Sequence, residues 1–409
     1  MSRERMRVAG PGMAGIIEET WAVCGTASGR SISWLACSLR RIIPASVVAL
    51  LGVLCGCGGF FVYPGNNNGN GGGSGSSLDF VYVANATSAT LAGFTIGTGS
   101  LSAVPNSPYT LPVSPTAVVI NPANTILYVA GGAAIYGYAI QTTGALSALN
   151  GGSPMAAATV QSMDISPDGQ WLLALDQSGA SIDEYRIDSS TGGLTSQTVS
   201  FAASGIVVPR GIRVSPNAQF VFVALGTAGD LVFPFNTGTG ALSTPLALSQ
   251  QPGTSDNGLA VSPGSDYLYI ARSGVNGGVA VYSVGLGGSL SAVTGSPFAA
   301  GAQPVSIVLN KAGTSVYAAN QTDSTISGFS IGAGGVLTAI SGSPYASGSL
   351  VTALAADNSG NYLLAAARNG SPDLSLYSFD ATTVGKLNLA ASTATGNDPV
   401  LPVALAATR

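Results

Sequence analysis

A repeat limits the fold of this chain more than any other feature. A Gly-x-Leu turn closes on Leu101, Leu146, Leu194, Leu242, Leu290, Leu337 and Leu387, at intervals of 45, 48, 48, 48, 47 and 50 residues. A second marker lies upstream in each unit, as the apolar runs FVYVAN, ILYVAG, WLLALD, FVFVAL, YLYIAR, SVYAAN and YLLAAA. Turn sequences such as NPAN, SPDG, SPNA, SPGS, NKAG and DNSG precede most of these runs. Two independent markers on one period identify a single supersecondary unit, which must stack on its neighbours to bury its apolar faces.

Each unit holds four strand-like runs divided by turn residues. In the unit that starts at Pro209 they are RGIRV, QFVFVA, LVFPFN and ALSTPL, with SPNA and TGTG between them. Four antiparallel strands per unit make one propeller blade, so the expected fold class is all-β, a seven-bladed β-propeller. The chain enters on a second strand, DFVYVAN, and leaves on PVALAAT (402–408), which matches the first strands PTAVVIN and PVSIVLN. The C-terminal strand is therefore expected to pair with the N-terminal blade and close the ring, removing the open edges that invite aggregation.

Composition fits this reading. Charged residues are 8% of the chain, Gly numbers 56 and hydrophobic residues reach 46%, a profile of short strands and tight turns rather than disorder. Nucleic acid is not expected as a partner, because the phosphate backbone demands clustered Lys and Arg and the chain has no such cluster.

Aligned first strands place Ala117, Ser162, Gly211, Gly258, Ser306, Ala353 and Ala404 at one position. All are tiny, as expected where blades crowd the ring axis. Two positions later, Asp164 and Arg213 occupy the same layer of consecutive blades. They are expected to form a structural ion pair, since a half-buried charge costs several kcal/mol unpaired.

The region before the repeats has its own signals. Arg40-Arg41 precede IIPASVVALLGVL (42–54), an apolar run too short to span a bilayer comfortably. Leu54-Cys55-Gly56-Cys57 resembles the bacterial lipobox Leu-x-Gly-Cys, which implies cleavage before Cys57 and a lipid on its sulfur. An uncleaved N-terminal helix is the alternative. The expected organisation is a leader and lipoprotein signal peptide over 1–56, then Cys57 and a Gly/Asn/Ser tether over 57–77, then the propeller over 78–409. Residues 1–38 exceed an ordinary n-region and fit an over-extended gene start. The tether, PGNNNGNGGGSGSS (64–77), has a mean reach of roughly 20 Å. Loss of the leader removes six Arg and three Glu, leaving 8 basic and 15 acidic residues, and Cys57 as the sole cysteine. The mature domain then has no disulfide, and its core must suffice. Gly58 after the lipidated cysteine, rather than Asp, favours the outer membrane or periplasmic face of the cell envelope over the inner membrane.

The blades resemble the YVTN-type repeats of the seven-bladed lactonase family, which includes 6-phosphogluconolactonase-like and carboxymuconate-cyclase-like proteins. The resemblance covers 78–409 and rests on the SPDGxxLYVA pattern at 166–174 and 262–271, on YAANQTDSTISGF, and on the Gly-x-Leu turns. PRGIRVSP (209–216) resembles the family's Pro-Arg-His-x-x-Phe-x-Pro motif, whose Arg and His sit at the mouth of the central funnel. Pro209 and Arg210 match, but Gly211 stands at the His position and Gly226 where the family's Glu falls. The chain contains no His, and Glu184 is the sole Glu beyond the leader.

Lactone hydrolysis needs a base and a cationic or hydrogen-bonding partner for the oxyanion. Arg210 could supply the second, and Asp176 or Asp256 the first if burial raised its pKa. The loops before each first strand and after each second strand collect the candidate ligand contacts. From the first set come Gln161, Arg210, Asp256 and Asn257; from the second, Asn85, Asp176, Arg272, Asn320 and Arg368. Metal binding and a Ser-His-Asp triad lack the residues they need, and no cofactor is expected. Two functions remain open: a lipid-anchored extracytoplasmic module without catalysis, binding a polar ligand or an envelope protein, and a sugar-lactone hydrolase or cyclase with an Asp–Arg site. A structural surface-layer component is a third reading. A monomer attached to the membrane through Cys57 is the expected state.

Overall fold

The repeated apolar runs become the second strands of seven antiparallel sheets, each ordered first, second, third, fourth strand from one edge to the other. The chain was analysed as a computed structural model that describes residues 79–201, 207–249, 251–395 and 402–408. The expectations placed on the leader, on Cys57 and on the tether lie outside the described residues. Among those residues, helix is confined to three single turns of 3-10 type.

The first strands touch one another in a closed cycle: Pro402–Ala407, Pro115–Ile120, Val160–Ile165, Gly211–Val214, Thr254–Val261, Pro304–Leu309, Val351–Ala356, and back to Pro402–Ala407. The ring is thus seven-bladed, with first strands innermost. Closure follows the expected route. Pro402–Ala407 pairs with Asp79–Asn85 in register Val81↔Ala407 and Val83↔Leu405, and Thr408 and Phe80 exchange backbone and hydroxyl hydrogen bonds of 2.7 and 2.8 Å.

Apolar side chains alternate along the strands and fill the seams between blades. Seam 4–5, for example, is built from Phe222, Ala224 and Val232 of blade 4 against Leu259, Leu268 and Ile270 of blade 5. Tyrosines on second strands place their hydroxyls in these seams and donate to the turn of the next blade: Tyr82 to Gly144 O (2.6 Å), Tyr128 to Gly192 O (2.8 Å) and Tyr317 to Gly385 O (2.6 Å). A buried phenol needs such a partner. Blade 4 has Phe222 at this position, so that end of its seam is wholly apolar.

Two expectations need correction. The small residues of the first strands do not all answer crowding. At Gly258 a Cβ would fall 2.9 Å from Val305 O, but at Gly211 it would meet nothing within 4 Å. Ser162 and Ser306 instead accept hydrogen bonds from Ile212 N and Leu354 N of the next blade, both at 3.2 Å. The fourth strand of blade 4 is Leu246–Leu248 rather than ALSTPL, because Pro245 has no N–H for the ladder and regular pairing starts after it.

A bulge recurs between first and second strands, with register shifts at Pro115/Ala117, Val160/Ser162, Asp256/Gly258, Pro304/Ser306 and Val351/Ala353. One inserted residue moves the side chain before it to the opposite face of the sheet. This shift decides where the chemistry of blade 5 points.

Candidate functional site

Several residues nominated for the loop face lie inside the blades. Asn85, Asn320 and Arg272 belong to strands Asp79–Asn85, Ser315–Asn320 and Tyr267–Gly274, and strand pairing keeps their side chains in the seams. Asn85 donates to Thr395 O (3.3 Å) and accepts from Thr395 Oγ1 (3.1 Å). Asn320 donates to Thr325 Oγ1 (3.0 Å) and Ser327 Oγ (2.9 Å). Asn257, the inserted bulge residue, is buried and donates to Ser273 Oγ (3.0 Å) and Pro304 O (2.8 Å). Gln161, Arg210 and Arg368 remain half-buried on the loop face, where the backbone N of Arg210 donates to Ala224 O at 2.9 Å.

The ionisable candidates divide sharply. Asp176 ends its strand half-buried and accepts from Thr159 Oγ1 and from Ser178 N (2.7 Å). Burial opposes its charge, but the hydrogen bonds from Ser178 and Thr159 prevail and hold the carboxyl below its ordinary value. A carboxylate held ionised in this way is a weak base. Asp164 accepts from Ile165 N and Val214 N, both 2.9 Å, while Arg213 donates to Ile212 O at 2.8 Å. Burial lowers the pKa of Arg213, and the charge of Asp164 opposes that shift.

Asp256 is neither in a loop nor exposed. It lies in strand Thr254–Val261, and the bulge at Asn257 turns it onto the face shared with Arg272, its cross-strand partner. Both Arg272 contacts are short, Nε to Oδ1 at 2.6 Å and Nη2 to Oδ2 at 2.7 Å, and the guanidinium also reaches Tyr282 Oη at 3.3 Å. Asp256 is 0% and Arg272 2% exposed. Burial works against the Arg272 charge, yet Asp256 outweighs it and raises the pKa.

The third member of this cluster is a residue that the sequence reading missed. Asp230 opens the third strand of blade 4, opposite Ala224, and faces blade 5 with Val232. Cross-strand pairing identifies its equivalents in the other blades as Leu91, Ile135, Ile182, Val279, Ile326 and Leu374. All six are fully buried aliphatics. Asp230 is 2% exposed, and neither carboxyl oxygen accepts a hydrogen bond. Burial first, and then the negative charge of Asp256, hold it well above the ordinary carboxylate range, with Arg272 pulling the other way. Aligning third strands as well as first and second ones would have exposed this acid in an aliphatic column.

Directly beside this cluster lies an open groove of about 440 Å³, lined by Thr227 of blade 4 and by residues 251–255 and Ser273–Gly274 of blade 5. Its polar groups are hydroxyls, backbone and the Gln251 amide, with no ionisable side chain among them. Gly226 ties the two walls together, its carbonyl accepting from Asp256 N at 3.2 Å. Its φ of +62° suits glycine, and a Cβ there would fall 2.8 Å from Val208 O.

Glu184, on the third strand of blade 3, is 1% exposed, and burial pushes its carboxyl up to about 7. It lies on the face that packs against blade 4, between Ile182 and Arg186. Among the described residues, no group of three or more His, Cys, Asp or Glu is placed to hold a metal ion.

The sequence model of the family described as "Lactonase, 7-bladed beta-propeller" matches residues 81–403. No curated protein matches the chain. Among solved structures, a candidate 6-phosphogluconolactonase from Bacteroides uniformis is 19% identical with a TM-score of 0.68, and the match covers 81% of this chain and all of that one. A Lactobacillus plantarum protein is 19% identical at a TM-score of 0.65, over 81% of this chain and 100% of its own. The periplasmic gluconolactonase of Pseudomonas aeruginosa is also 19% identical, at 0.63, over 79% of this chain and 98% of that one. At such identities these likenesses speak for the fold alone.

Proposed function

Because the chain belongs to the seven-bladed β-propeller lactonase family, we propose that it is a lipid-anchored, extracytoplasmic binding module that holds a neutral polar ligand, such as a sugar or sugar lactone, without transforming it. The observation that carries this reading is the state of its acids. Asp256 is locked to Arg272 inside a seam, and Asp176 is held ionised by its hydrogen bonds. Neither is available as a general base. Gly211 and Gly226 occupy the positions at which the family resemblance expects His and Glu, and the left-handed turn at Gly226 leaves no space for a side chain. The groove between blades 4 and 5 offers hydroxyls and an amide, the groups that pair with sugar hydroxyls. Lipid attachment at Cys57 rests on the lipobox resemblance, and the periplasmic neighbour is a precedent for an extracytoplasmic address.

A panel of neutral saccharides and aldonolactones tests the reading by thermal shift. One or more should raise the melting temperature, with the effect reduced in Ser273→Ala and Gln251→Ala. Cys57→Ser should release the protein from the membrane fraction. A hydrolase is the second reading, favoured by Arg210, which keeps its motif position half-exposed where an oxyanion would need a cation. Lactone turnover that disappears in Arg210→Ala would replace the first reading by this one.

A further inference from the structure

Six of seven seams end, on the loop side, in a fully buried aliphatic from the third strand; the seventh ends in Asp230. An acid in that place loses the burial of a Leu or Ile side chain, about 1.5–3 kcal/mol. It also carries two oxygens without a donor, at a position that is hydrocarbon in each of the other blades. The ionisable groups acting on it are Asp256 and Arg272 of blade 5, with Tyr282 behind the guanidinium. Two carboxylates against one guanidinium would leave a net negative charge in a buried seam. One proton between the acids removes that charge, and it explains why neither Asp230 oxygen accepts a bond: Asp230 is the donor, and Asp256 has lone pairs to spare beyond those facing Arg272.

We propose that Asp230 and Asp256 share a single proton in a buried carboxyl pair clamped by Arg272, and that this pair makes the blade 4–5 seam a pH-sensitive joint of the ring. While the proton is held, the cluster is neutral and the seam is closed. When the proton passes to bulk water, two like charges face each other across blades, and the loop-side end of the seam loosens. The cross-blade backbone link at this end, Asp256 N to Gly226 O, and the groove walls beside it move with the joint. The inference does not depend on what the groove binds.

The sign follows from linkage. The pKa of Asp230 is higher in the folded ring than in the unfolded chain, so the stability it contributes is complete at acid pH, below the ordinary aspartate value, and is lost as pH rises through the folded value. Asp230→Asn keeps a donor toward Asp256 but cannot ionise, and Asp230→Leu restores the residue type of the other blades. The test uses the full chain carrying Glu184→Gln, which removes the other fully buried carboxyl with a raised pKa among the described residues. In that background, infrared spectra at neutral pH should contain the carbonyl band of a protonated carboxylic acid, lost in both Asp230 variants. The melting temperature should fall with rising pH relative to both variants, by several degrees at alkaline pH. Hydrogen exchange at the Asp256 amide should accelerate over the same range, beyond the rate seen in the variants. If the band is absent from the Asp230 protein at neutral pH, or the melting curves of the three proteins run parallel in pH, the shared proton is refuted.

Discussion

Seam 4–5 and seam 6–7 are made by the same strands of the same repeat, yet they solve the loop-side end of a blade interface in opposite ways. In seam 6–7, Ile326 fills the end with hydrocarbon and Tyr317 anchors the opposite end to Gly385. In seam 4–5, Phe222 makes one end wholly apolar, while Asp230, Asp256 and Arg272 concentrate charge at the other. The lesson is that a repeat fixes positions, not chemistry. A ring whose seven joints share one backbone arrangement can place a charged cluster at the loop-side end of one of them, where the other six carry a buried aliphatic. The location also matters: the odd joint is the one beside the groove.

The harshest way to break the comparison is to install the acid where it has no partner. Ile326→Asp removes about 1.5–3 kcal/mol of aliphatic burial and adds about 2–7 kcal/mol of desolvation. Chemical denaturation should therefore find the variant unfolded or nearly so, although the same residue type is tolerated at 230. Next comes Arg272→Ala, which strands two acids in the seam and should cost about 3–5 kcal/mol. Its loss should be smaller at acid pH, where both acids can be protonated, and denaturation series at several pH values would reveal this. A milder effect is expected at Glu184, which sharpens the contrast because it is buried without an arginine to clamp it. Its folded pKa, about 7, lies above the unfolded value, so Glu184 contributes its stability at acid pH and loses it as pH rises through 7. Glu184→Gln should match the wild type at acid pH and gain about 1 kcal/mol above neutrality, measured by the same unfolding series. The smallest effect belongs to the groove. Gln251→Ala, at an exposed side chain of the groove, should change stability by less than about 0.5 kcal/mol while weakening ligand binding.

Much of this architecture was legible in the chain. The Gly-x-Leu turns and apolar second strands identified the blade count, and the match of PVALAAT to other first strands identified the closing strand, because closure leaves a first-strand pattern at the wrong end of the sequence. The site was legible only in part. Asp256 and Arg272 were singled out, but as loop residues, because alternation back from Gly258 points Asp256 to the other face and the bulge at Asn257 reverses it. Asp230 escaped because third strands begin at variable distances after the second, so no fixed offset revealed the aliphatic column it interrupts. Burial of Asn85 and Asn320 escaped for a related reason: the last residue of a strand reads as a loop residue until pairing is known.

The central claim is that this lactonase-family ring holds its ligand at the groove of the blade 4–5 joint and releases it unchanged. Titration calorimetry with an aldonolactone gives binding and turnover in a single trace. The account predicts heats that saturate, return to baseline after each injection and shrink in Ser273→Ala. Sustained heat flow proportional to protein concentration, abolished by Arg210→Ala, would contradict it.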